Sequence, residues 1–76
     1  MKDEMMNKKI GEWLTERRTR AGLTLQQVAD RFGVSKVAVH YWEVGQNGMS
    51  ASQLMHFCQM VNADPDDLRR YLFGES

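Results

Sequence analysis

The sequence predicts an all-α domain of five short helices. Three observations predict it. Only one proline occurs, at position 65, so long stretches carry no helix breaker. No stretch shows the period-two alternation of β-branched and polar residues that a half-buried strand requires. Apolar residues instead recur at three- and four-residue spacing between small or capping residues. With 76 residues the chain has room for one domain, spanning 1–76. At that size folding buries only roughly 60% of the surface, so the core is thin.

The first helix is expected from about Lys8 to Ala21, where Ile10, Leu14 and Ala21 with Trp13 and Met6 form a stripe and Gly22 supplies the stop. For Met5-Met6 two alternatives stand: a flexible tail over residues 1–7, or packing onto this helix. Thr24 opens the second helix with Gln27 three residues on, a capping box. Leu25, Val28, Ala29 and Phe32 form its apolar face, and Gly33 ends it. Ser35 caps the third, which turns Val39 and Trp42 inward and stops near Val44-Gly45. Gln46-Asn47-Gly48 is turn chemistry. Ser50 caps the fourth, with Leu54, Phe57, Cys58 and Val61 inward and Asn62 as its stop. Asp64-Pro65-Asp66-Asp67 opens the fifth with a cap, an N1 proline and acids that complement the helix dipole; Leu68, Tyr71 and Leu72 are its apolar side. Residues 74–76 are expected to be flexible.

Composition excludes several classes. Charged residues are 26% and hydrophobic ones 42%, a globular balance. No apolar run approaches the roughly 18 residues of a membrane span. The charged start is unlike a signal peptide, so a cytoplasmic, nucleoid-associated location is expected. One cysteine makes no internal disulfide, and one Cys with two His is too few for a zinc site. Cys58 reads as a core residue, His56 as a surface one and His40 as groove-facing or solvated. No nucleophile–base–acid set and no glycine-rich phosphate loop is present, so an enzyme is not expected, nor a cofactor, metal or small-molecule ligand. The net charge is zero but uneven: between Arg17 and Tyr41 five cations (Arg17, Arg18, Arg20, Arg31, Lys36) face Asp30 alone. Such a stretch can meet phosphates while the neutral whole avoids indiscriminate binding.

Leu23 to Gly45 carries the function. Two short helices joined by Phe32-Gly33-Val34-Ser35 set the second steeply against the first, so that it can enter a groove about 12 Å wide. Arg18-x-x-x-Gly22-Leu23-Thr24, Val28-Ala29-x-x-Phe32-Gly33-Val34-Ser35 and Val39-x-x-Trp42-Glu43-x-Gly45 resemble the phage repressor and Cro-type (XRE-like) helix-turn-helix family. Leu54, Phe57 and the stretch from Val61 to Leu68 extend the resemblance over roughly residues 10–72. It implies a lambda-repressor-like fold with the helix-turn-helix at helices two and three. It also implies a homodimeric transcriptional regulator that binds double-stranded DNA at a palindromic operator.

Carried residue by residue, the resemblance implies base contacts from Lys36, Val37 and Tyr41, with Ser35 and His40 nearby. Lysine can donate to guanine O6/N7, and valine can pack on a thymine methyl. Gln46 and Asn47, with the backbone amides after Gly45, are phosphate clamps by analogy, and Arg17 or Arg20 adds another. Many relatives carry a phosphate-clamping glutamine where Leu25 stands, so Gln26 takes that role; the loop after helix three also lacks the usual cation. Both departures imply weaker binding than the family's average. Arg18 and Glu43 are the family's structural ion pair. Dimer contacts are expected from Tyr71, Leu72 and Phe73, since Phe73 lies past the expected helix end, with the start of helix four as a second option. The alternative keeps the fold and makes it a protein-interaction module, antitoxin-like or coactivator-like, using Trp13, Met49 and Phe73 as an exposed surface. A restriction–modification controller would share the DNA-binding mechanism.

Overall fold

The computed structural model describes residues 2–74, and among them every regular element is helical: α1 Lys2–Arg20, α2 Leu25–Phe32, α3 Lys36–Val44, α4 Ala51–Val61 and α5 Pro65–Phe73. The caps are those the residue types dictate. Thr24 and Gln27 close a reciprocal capping box, with the Thr24 N–H donating to Gln27 Oε1 at 2.8 Å and the Gln27 N–H to Thr24 Oγ1 at 3.1 Å. Ser50 and Gln53 repeat it at α4. Asp64 accepts from the Asp66 N–H at 3.0 Å, with Pro65 at the first helical position of α5.

α1 packs on α3 and α5, and α2 packs on α3. Each helix delivers to one core: Trp13 and Leu14 from α1, Val28 and Ala29 from α2, Val39 and Trp42 from α3, Phe57 and Cys58 from α4, Leu68 from α5. Trp13 leans on Phe57 with ring centroids 6.0 Å apart, and Phe32 meets Trp42 edge-on at 5.3 Å. Trp13 is buried in the core, in keeping with its place in the helix-one stripe and against the alternative reading that put it on an exposed protein-binding surface.

Two boundaries differ from expectation. α1 starts at Lys2, six residues before Lys8, so Met5 and Met6 lie within the helix. The added turns place Met5 and Met6 beside Leu72 and Phe73, with Asn7 beside Gly48 and the Lys8 backbone against Gly45. Phe73 is the last residue of α5 rather than a residue beyond it. Of the expected flexible end, residues 75–76 lie outside the described residues.

Candidate nucleic-acid interface

The turn between α2 and α3 is built by one glycine. Gly33 has φ 68°, a left-handed conformation that suits a residue without Cβ. Its N–H reaches the Asp30 carbonyl, and the Val34 N–H reaches the Ala29 carbonyl at 3.0 Å, a Schellman stop. Ser35 Oγ then accepts from the Ala38 N–H at 3.1 Å and starts α3. Ala29 has no exposed surface, as a small residue at a close crossing of helices must.

Arg18 fixes the far end of α3. Its Nε donates to Glu43 Oε2 at 2.6 Å, its Nη2 to Glu43 Oε1 at 3.2 Å and its Nη1 to the Leu23 carbonyl at 2.8 Å. One planar guanidinium thus joins α1, the approach to α2 and the last turn of α3. Close beside it, Gly11 lies against the Glu43 backbone, so near that a Cβ could not fit. Gly45 ends α3 at φ 83°, with the Lys8 backbone occupying the space a side chain would need.

With Val39 and Trp42 inward, the other face of α3 is left to solvent: Lys36, Val37, His40, Tyr41 and Val44 are all exposed. Val37 (55% exposed), Tyr41 (38%) and Val44 (48%) stand four and three residues apart and form one apolar row. Lys36 and His40 flank it one residue earlier in each turn. Val44 was not singled out from the sequence, although it lies seven residues beyond Val37 on the same face.

The residues expected at phosphates are less uniformly available. The Gln46 and Asn47 N–H groups both donate to the Tyr41 carbonyl, at 2.9 and 3.3 Å. Closing the C-terminus of α3 uses those two backbone donors of the expected clamp, while the Gln46 and Asn47 side chains are exposed. Arg17 turns away, bonded to Asp67 of α5 at 3.1 Å with its guanidinium 5.5 Å from the Trp13 ring centre. The guanidinium expected at a phosphate is thus engaged in a link between α1 and α5. Arg20 holds only Glu16 on its own helix, at 2.9 Å in an exposed pair worth little. Gln26 is exposed and donates to Asp30 at 2.9 Å. Lys8, Arg31 and Lys36 have no ion-pair partner among the described residues.

His56 is exposed and packs at a tilt of 52° against Phe32, ring centroids 4.6 Å apart. Cys58 is buried, and that burial pushes its thiol pKa up against the opposing pull of Arg17. Among the described residues no group of three His, Cys, Asp or Glu side chains gathers as metal ligands would. No helix among them is long and apolar enough to cross a membrane.

Two helices meet at a glycine turn, the second anchored on one face and bare on the other, and a family model for a helix-turn-helix domain matches residues 9–72. The chain belongs to that family. The match takes in all of α2 to α4, the α1 residues that hold α3 and most of α5. Among curated proteins none matches the chain. A helix-turn-helix domain points to DNA binding.

Proposed function

We propose that this helix-turn-helix domain is a transcriptional regulator of Cro or repressor type that binds double-stranded DNA sequence-specifically, as a homodimer on a palindromic operator. The observation that carries the reading is the bare face of α3 on a helix immobilised by Val39, Trp42 and the Arg18–Glu43 pair. Lys36 donates to guanine, while Val37 and Tyr41 meet thymine methyls or a second base edge. His40 and Ser35 stand beside them; the Ser35 oxygen is occupied as a cap acceptor, leaving its O–H to donate. Arg20 and the side chains of Gln26, Gln46 and Asn47 fix register on the phosphates. A regulator of this kind is cytoplasmic and nucleoid-associated.

One recognition helix reads few base pairs, so a twofold dimer with half-sites about 34 Å apart supplies the missing information. Selection of bound duplexes from a random pool tests the reading. A palindromic consensus is expected; an unenriched pool removes it. With the selected site, Lys36→Ala and Tyr41→Ala each weaken binding by about 1–3 kcal/mol and relax the preference at particular positions. A uniform loss across sequences would instead place these two side chains on phosphates.

The protein-interaction alternative has lost Trp13 to the core, and Met49 is only half-exposed. Phe73 remains exposed and is assigned below to the contact between protomers.

A further inference from the structure

The turn after α3 has no cation of its own, and its Gln46 and Asn47 amides are committed to Tyr41. The structure brings a positive charge to it from elsewhere. α1 runs past the C-terminus of α3, and the Lys8 backbone lies so close to Gly45 that a Cβ there would sit 2.6 Å from Lys8 Cα. Asn7, one residue earlier, covers Gly48. The exposed Lys8 side chain lines a shallow groove with Val44, Gly45 and Gln46, continuous with the bare face of α3 through Val44. It has no ion-pair partner among the described residues. Lys9 points to a different groove, beside Met5, Leu72 and Phe73 near the end of α5.

We propose that Lys8 binds a phosphodiester of the DNA backbone at this groove. The first turns of α1 thereby supply the phosphate contact that the turn after α3 lacks. The inference rests on the DNA-binding reading above and adds a site to it. An ammonium on a four-carbon stem suits a single phosphate as a point charge, and Gln46 beside it adds an uncharged donor. A competing role exists within the fold: a cation near the C-terminus of α3 also complements that helix's dipole.

The test measures duplex affinity against salt concentration for the intact chain and for Lys8→Gln, Lys9→Gln and Lys8→Arg, together with their unfolding midpoints. Lys8→Gln is expected to shallow the slope of log affinity against log salt by about 0.9 per bound protomer, one phosphate's worth each and so about 1.8 for a dimer on a full palindrome, without changing base preference. Lys9→Gln leaves the slope as it is, and Lys8→Arg restores it. An unchanged slope in Lys8→Gln, with wild-type binding still steeply salt-dependent, overturns the site; a lowered midpoint alongside it assigns Lys8 to the helix dipole. If the wild-type chain shows no salt-dependent binding to any duplex, the DNA-binding reading itself fails, and this site with it.

Discussion

Arg18 holds three segments at once, and its partner Glu43 is almost as enclosed as a core residue, with 9% of its side chain exposed. Removing either charge leaves the other without its counterpart in a half-buried setting, so Arg18→Met or Glu43→Leu alone is expected to destabilise the fold by about 3 kcal/mol in urea unfolding. The double variant recovers most of that loss, because an apolar pair has no stranded charge. Additive losses in the double variant would mean that the guanidinium's bond to the Leu23 carbonyl matters more than the ion pair. Cys58 makes a prediction about pH. Burial raises the thiol pKa in the folded chain, whereas an unfolded thiol titrates at about 8.5. Above that pH the unfolded state has lost a proton that the native state keeps, so stability falls as pH rises, and it is fully present below. Tyr71, also raised, adds to the decline at higher pH through its desolvation and its bond to Glu12. Cys58→Ala is expected to flatten the earliest part of that decline; an unchanged profile would show that the thiol is not its source.

At the scale of the helices, three glycines separate two kinds of constraint. At Gly33 the backbone is left-handed but an added Cβ meets nothing within 4 Å, so Gly33→Ala costs about 1 kcal/mol from conformation alone. At Gly45 the same strain is joined by collision with the Lys8 backbone. At Gly11, an ordinary helical position, a Cβ would strike the Glu43 and Trp42 carbonyls and push α1 off α3. Gly45→Ala and Gly11→Ala are each expected to cost about 3 kcal/mol or more by urea unfolding, despite alanine's better helix propensity at the latter. Equal losses at all three would mean that α1 can slide on α3. These glycines also mark how far the sequence could be read. Gly33 and Gly45 follow apolar stripes and precede new caps, a local signature, and with Thr24, Ser35, Ser50 and Asp64 they delimit α2 to α5 almost to the residue. Gly11 was invisible because what it avoids lies more than 30 positions away. The first turns of α1 were missed for a related reason: apart from Met5 and Met6 they are polar, and Asn7 and Lys8 lie against Gly48 and Gly45, more than 30 positions along the chain. The outward residues of α3 followed from the inward Val39 and Trp42, whereas the engagement of Arg17 by Asp67 depends on how α5 returns to α1, which no local pattern encodes.

Over the whole molecule, the two ends of α5 play different parts. Asp66 and Asp67 of α5 are engaged by Arg69, Arg70 and Arg17, so the acidic end of the chain is largely neutralised internally. At the other end of α5, Phe73 (68% exposed) and Met5 (67% exposed) border one groove with Met6, Lys9 and Leu72. In a twofold contact each residue is buried twice, and covering a phenylalanine contributes roughly 1.5–3 kcal/mol, so two copies of Phe73 contribute on the order of 3 kcal/mol or more. Leu72 already packs on its own core, and the Tyr71 hydroxyl bonds Glu12, so Phe73 is the member of the expected trio with most surface to offer. Phe73→Ala is therefore expected to shift sedimentation from dimer towards monomer and to weaken binding to a full palindrome, while affinity for an isolated half-site stays the same. That last comparison separates assembly from recognition, because α3 lies on another part of the domain and keeps its anchors. If both sedimentation and palindrome binding are unchanged, the protomers meet elsewhere; α4, where Met55 is also exposed, becomes the surface to substitute next.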